Sequence, residues 1–345
     1  METYIVAIAI LAGVFTFYMG YIDGTSAIAS SVATNALKPI PAFLISTISM
    51  FIAPIVVIIL MGSDSVARTV GSLVFLEVYD YTAPNVGFVF ILAALIGAIL
   101  WAIVSLILVV PNSVSHTLLG GIVGAAIVVF SFDSINWYAV WIKVILMVFF
   151  APMLGLFIGF IMQKLFVRLC SAWPRTMKKA FKALQSINIV LLSISIAANN
   201  IQKTLGVYML AVVLSSQDDL ITFDSFQFTW WIVVLFSFIQ CLGLVFGGDK
   251  LINVIGYRLH RLSTVQSYVA QLSTIIISFA STFVGLPIST TQVVSSSIMG
   301  VGAAEGVSTV SWKQGNKMII SWIVTFPASM IFGILVALLL KAIIL

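Results

Sequence analysis

A chain of 345 residues that is 61% hydrophobic and only 8% charged carries more apolar surface than a soluble domain of that length can bury. This excludes a soluble enzyme or binding module and leaves a polytopic membrane protein, with the lipid bilayer as its surroundings. The net charge of +5 does not point to nucleic acid, because the basic residues are gathered in a few loops, where they act as topology signals.

Apolar runs occupy residues 4–22, 40–61, 86–110, 114–130 and 138–163. After a basic segment, a second set covers 187–199, 204–214, 228–246, 265–284, 287–303 and 317–345. Most have the length of a spanning helix, about 17–25 residues, and lack the period-two alternation of membrane strands, so the expected fold is all-α. The start, Met1-Glu-Thr-Tyr, has no basic region before its apolar run and reads as the first span. Cys170 and Cys241 have no metal-binding or redox spacing. Landmarks recur at a spacing of about 175 residues: Pro111 with Pro287, Trp137 with Trp312, Pro152 with Pro327, and Asp23 with Asn200. The chain therefore reads as a duplication, with a first repeat over 1–163, a linker over 164–185 and a second repeat over 186–345.

Charge orients the two repeats. The linker carries Lys164, Arg168, Arg175, Lys178, Lys179 and Lys182 with no acid, so it is expected in the cytoplasm. Counting five crossings back puts the N-terminus outside, Lys38 inside, and Asp64, Glu77 and Asp80 in an outer loop with Arg68. Counting five forward puts Asp218, Asp219 and Asp224 outside and Lys250, Arg258, Arg261, Lys313 and Lys317 inside. An odd number of crossings per repeat gives two inverted-topology repeats, the plan of many secondary transporters. Both termini are then expected outside a multi-pass cell membrane protein.

Polar stretches interrupt this pattern at matching places. Gly20-Tyr-Ile-Asp-Gly-Thr-Ser and the region 197–214 are too polar for lipid, and such backbone is tolerated where it faces protein or a wet cavity. Broken or re-entrant helices are expected at these two repeat starts and at Pro111 and Pro287. At the latter pair a proline opens a helix and hydroxyls crowd its first turn: Ser113 and Ser115 in one, Ser289, Thr290 and Thr291 in the other. The unpaired N–H groups and positive dipole end found there suit a small oxyanion. Asp23 and Lys203 are ionisable groups in polar breaks, candidates either for function or for a structural ion pair across the repeats. Lys143 follows Trp137, Tyr138 and Trp141 and reads as an interfacial snorkel. His116 fits a proton relay, a donor to the anion or a satisfied core residue. His260, between Arg258 and Arg261, reads as part of a solvated face. The sequence has no HExxH, Walker or GxSxG motif, so neither an enzyme nor a cofactor is expected.

Four segments resemble the paired signatures of the inorganic phosphate transporter (PiT) family. Gly20-Tyr-Ile-Asp-Gly-Thr-Ser26 and Ala197-Ala-Asn-Asn-Ile-Gln-Lys203 are similar to its GANDVAN-type motif. Pro111-Asn-Ser-Val-Ser-His116 and Pro287-Ile-Ser-Thr-Thr-Gln292 are similar to its PVSTTH-type motif. The resemblance covers essentially the whole chain and implies a secondary transporter of inorganic phosphate across the plasma membrane, driven by a proton or sodium. It implies substrate binding at Ser113, Ser115, Ser289, Thr290, Thr291, Asn199 and Asn200, and coupling at Asp23, Ser26 and Lys203, with Asp23 a candidate sodium ligand. It places His116 and Gln292 at the motif histidines, as candidate substrate or proton-relay residues. A homodimer would fit the family.

The departures define the individual chain. Asn200 stands where the family has a second Asp, Ser26 and Lys203 where it has the last Asn of each signature, Gln292 where it has the second His, and Gln271 where a Glu is common. Lys203 would then take the place of a bound sodium, as a fixed or a titrating cation. Sulfate or another tetrahedral oxyanion is the nearest alternative substrate, and a non-transporting membrane receptor or scaffold the alternative from another class.

Overall fold

The computed structural model describes residues 2–75, 84–108, 112–170, 178–215, 227–247 and 252–345. Pro111, Glu77, Asp80, Arg175, Asp218, Asp219, Asp224 and Lys250 lie outside the described residues. Apart from one antiparallel bridge between Val74 and Ile135, the described chain is helical. Among the described residues, seven helices are long and apolar enough to cross a bilayer.

Helices α1 (Glu2–Met19) and α2 (Thr25–Ala33) are joined through a π-helical turn at Gly20–Gly24. Next come α3 (Pro39–Pro54), with proline in its first turn, the short α4 (Ser65–Gly71), α5 (Pro84–Ile107) and α6 (Val114–Val129). A tight corner leads to α7 (Leu146–Cys170), which forms one span from Trp137. In the second half, α8 (Lys178–Ser215) is followed by α9 (Trp230–Phe246), α10 (Thr264–Val284), α11 (Thr290–Glu305) and α12 (Trp312–Ile344).

The repeat starts correct the expectation of broken helices. Residues 187–199 and 204–214 belong to one uninterrupted 38-residue helix, and the Asp23 region is a π turn rather than a gap. Between 186 and 205 the sequence has no glycine or proline to stop a helix, and its polar side chains find partners on neighbouring elements, so the backbone has no need to open. The π turn lies where helix backbones touch. A Cβ on Gly20 would sit 1.9 Å from Gln240 O, and one on Gly243 would sit 2.0 Å from Phe17 O, so α1 and α9 cross with only glycine between them.

Packing is crosswise between the halves. α6 lies on α12 and α11 on α7, α3 packs on α8, and α9 packs on α1 and the π turn. The first two contacts also depend on glycine: a Cβ on Gly124 would lie 2.1 Å from Met330 O, and one on Gly300 would lie 2.1 Å from Leu156 O. The corners after α6 and α11 match in detail. Each is a 3₁₀ turn followed by a tryptophan, with Trp137 Nε1 donating to Phe132 O at 3.0 Å and Trp312 Nε1 to Val307 O at 2.7 Å.

The two ends of the bundle differ. The chain after α2 reaches Lys38, while the turn that ends at Arg258 packs on α2 and Ser311 N donates to Leu259 O. Lys38, Arg258, Arg261 and Lys313 thus share the end at which α8 begins. α11 runs towards that end, where Thr309 O meets His260 Nδ1 at 3.1 Å. α6 runs the other way, towards the bridge between Val74 and Ile135 beside α4. His260 itself corrects the solvated reading: it is 6% exposed, and a Cβ on Gly302 would lie 2.9 Å from its ring, so the glycine opens the space that the imidazole fills.

Candidate functional site

At the middle of the bundle the π turn, α8 and the starts of α6 and α11 meet. Ser113, Ser115, His116, Ser289, Thr290, Thr291 and Gln292 are all buried, as are Asp23, Ser26, Asn199, Asn200 and Lys203. The two hydroxylated helix starts are joined directly, because Ser115 Oγ donates to Ile288 O at 2.7 Å.

Lys203 stands at that junction. Its Nζ donates to Ser115 Oγ at 2.6 Å, Asn200 Oδ1 at 2.9 Å and Ile288 O at 2.9 Å. The Ser115 hydroxyl lies between Ile288 O and Nζ, and the other two partners of the lysine are carbonyl oxygens, a set of three oxygens that suits an ammonium. Three oxygens around one cation is also the kind of shell that a hard metal ion would take.

Asn200 links this cation to the carboxylate. Its Nδ2 donates to Asp23 Oδ2 at 2.9 Å while its Oδ1 faces Lys203, so the amide has a fixed direction. Of the two readings left open for Asp23 and Lys203, a direct structural ion pair is not formed: the Asn200 amide stands between them. The amide is long enough to span the gap and offers a donor to the anion and an acceptor to the cation. The Ser26 hydroxyl donates to Asp23 O at 2.7 Å within its own turn.

Around this chain lie polar atoms without partners. The Thr290 hydroxyl and the Thr291 backbone N–H lie beside the Asp23 carboxylate, yet Asp23 Oδ1 and Thr290 Oγ1 make no hydrogen bond. Asn199 donates to Thr282 Oγ1 at 3.1 Å and Leu286 O at 3.2 Å, but its Oδ1 is unpartnered. Both amide atoms of Gln292 are unpartnered, as is His116 Nε2. His116 Nδ1 lies 2.5 Å from Ser113 Oγ, which also accepts from His116 N. Ser113 Oγ thus serves both the amide and the ring of His116, and the Val144 backbone also lies beside the ring. Each buried, unsatisfied polar group costs about 1–3 kcal/mol. Donors and acceptors left over in one region mark where a polar ligand would complete the network.

The two helix starts are not equally closed. Ser113 caps α6, whereas the side chain of Ser289 makes no cap to α11 and lies 3.1 Å from the Thr291 hydroxyl. Other contributors were not singled out from the sequence, although Gln202 and Ile288 lie inside the quoted motifs. Ile288 and Leu286 act through backbone carbonyls, and Gln202 accepts from Val66 N at 2.8 Å to cap α4. Tyr18 donates to Asn112 Oδ1 at 2.7 Å; Asn112 lay inside the quoted motif, but Tyr18 had nothing to mark it.

A model described as the Phosphate transporter family matches residues 19–333. Over 335 residues the chain is 33% identical to a probable low-affinity inorganic phosphate transporter of Bacillus subtilis (strain 168), covering 95% of this chain and 94% of that one. It is also 33% identical over 337 residues to a protein of the same description from Rhizobium meliloti (strain 1021), covering 96% and 95%. A solved structure described as the sodium-dependent phosphate transporter is similar with a TM-score of 0.77 at 20% identity, over 99% of this chain and 100% of that one. At that identity the last likeness is one of fold.

Proposed function

Since the chain belongs to the phosphate transporter family, we propose that it is a secondary transporter carrying inorganic phosphate through the cell membrane, with the Lys203 ammonium standing where a coupling sodium would otherwise bind. The observation that carries this reading is the three-oxygen shell around Lys203 Nζ, built from both helix starts and α8. A sodium ion at that place would need the same oxygens. Asp23 remains as the carboxylate for a proton or a further cation.

The anion would be held at the first turn of α11, which has no serine cap, by the Thr290 hydroxyl, with Ser113, Ser115, His116, Ser289, Thr291, Asn199, Asn200 and Gln292 completing the surroundings. Asp23 Oδ1 is an acceptor without a donor. A P–OH group can satisfy it and sulfate cannot, which favours phosphate. The crosswise packing, the matched tryptophan corners and the opposite courses of α6 and α11 support two inverted repeats, 1–163 and 186–345, that rock about this centre. The gathering of basic residues at one end supports a cytoplasmic linker and external termini.

Labelled phosphate uptake into proteoliposomes, with sodium and pH gradients imposed separately, tests the proposal. Saturable uptake that is indifferent to sodium and poorly inhibited by sulfate is expected, and strict sodium dependence would overturn the role given to Lys203. The double change Asn200→Asp with Lys203→Asn, which returns both positions to the family pattern, is expected to make uptake respond to sodium. Absence of any saturable uptake would leave the receptor reading instead.

A further inference from the structure

The polar face of α10 has no role in the central site beyond its last residue. Ser267, Gln271, Thr274, Ser278 and Thr282 follow one another at spacings of four, three, four and four, so they line one face of the helix, and each is at most 3% exposed. Taking Pro111 and Pro287 as equivalent, the corresponding residues of α5 are Ile91, Leu95, Ala98, Ala102 and Leu106. The same position in the first half is therefore built without a single polar group, so the fold itself does not demand them.

Both ends of this face are tied to α8. At the central site Thr282 Oγ1 accepts from Asn199 Nδ2 at 3.1 Å. At the basic end of the bundle Gln185 Nε2 faces Ser267 Oγ at 2.7 Å, Ser31 Oγ at 2.9 Å and Gln271 Oε1 at 3.1 Å. Gln271 Nε2 in turn donates to Ser31 Oγ at 2.7 Å and Ala27 O at 3.2 Å. Three helices are thus fastened at one point, on the order of 20 Å along α8 from Asn199 at 1.5 Å per residue.

The fastening is incomplete. Gln185 Nε2 has two hydrogens for three acceptors, Gln185 Oε1 has no partner, and neither does Ser278 Oγ midway along the face. All three groups are buried, and their unmet hydrogen bonds are a cost that water or a passing anion would remove. Lys182 lies one turn before Gln185, and Lys38, Arg258 and Arg261 stand at the same end, where they would draw an anion to the mouth.

We propose that the hydroxyl face of α10 against α8 is the wall of the route between the central site and the basic end of the molecule, and that Gln185, Gln271 and Ser31 form the bolt that closes it in this state. Opening requires that the side-chain amides let go and that α10 move away from α8, against which it packs, so that the hydroxyls then face a water-filled route for the anion. This inference rests on the transport reading above.

The test uses the full chain in proteoliposomes with its two native cysteines replaced by alanine and Ser278→Cys added. A membrane-impermeant thiol reagent is expected to label position 278 from the basic end and not from the other, and excess phosphate to slow the labelling. Gln185→Ala is expected to speed it about tenfold. If phosphate uptake is intact but position 278 is unlabelled, or labels at the same rate with and without Gln185, the route and bolt are overturned while the transport reading stands. If the parent protein shows no uptake, the transport reading fails first. Gln271→Ala, examined in the same way, guards against a Gln185 variant that does not fold.

Discussion

The first turns of α6 and α11 hold equivalent places in the two halves of the sequence and are finished in opposite ways. In α6 the Ser113 oxygen accepts from the His116 amide and lies against the His116 ring. In α11 the Ser289 hydroxyl turns to Thr291 and gives no cap, and the Thr291 amide and Thr290 hydroxyl face the Asp23 carboxylate instead. A start capped by its own serine is closed locally, whereas one that faces a carboxylate from another element can exchange that partner for a ligand. On the proposed reading α11 is the seat of the anion, and α6 contributes the His116 imidazole. On that reading, two similar helix starts differ by small changes in their first turns and share the work between them.

The largest effect expected is that of Lys203→Met, which removes the cation joining both starts and leaves three buried acceptors and a carboxylate uncompensated. Losing one member of such a buried charge arrangement costs about 3–5 kcal/mol. Uptake should fall by about a hundredfold or more, and thermal unfolding should move down with it. Uptake within a factor of about two of the parent would mean that Lys203 is not part of the site.

The comparison itself is probed by one change on each side. Thr290→Val deletes the hydroxyl beside Asp23 at the start without a serine cap and should raise the KM for phosphate about tenfold, the equivalent of roughly 1.4 kcal/mol. Ser113→Ala deletes a cap and should cost about 1 kcal/mol of stability, seen as a lower Tm, with a smaller change in KM. Reversal of the two KM effects would break the division of labour. The smallest effect is expected for Gln292→His, which restores the residue type of α6 without a serine cap to orient the ring. Uptake should stay within about threefold; a tenfold loss would put the Gln292 amide itself on the anion.

Much of the site was legible because polar residues in an apolar chain carry information. Asp23, Lys203 and both hydroxyl clusters stood out by their cost in a membrane, Asn199 and Asn200 through the resemblance to the family signatures, and all of them are buried in the centre of the bundle. The continuity of α8 was not legible. Polar residues predict a break when their partners are unknown, and here the partners come from α10 and the chain before α11, more than eighty residues away in sequence. His260 was misread for a related reason: its neighbours Arg258 and Arg261 suggested water, but its environment is set by Gly302 and Thr309, on elements the local sequence does not mention. Backbone carbonyls such as Ile288 O have no sequence signature at all.

The amide of Asn200 has an acceptor turned to one neighbour and a donor turned to the other, and that polarity has an evolutionary corollary. An aspartate at this position would set two carboxylates side by side unless a mobile ion came to separate them, while an asparagine without the lysine would leave its oxygen facing nothing. Positions 200 and 203 are therefore expected to drift together, so that an ancestor crossing between ion-dependent and ion-free uptake had a narrow passage with few viable single steps.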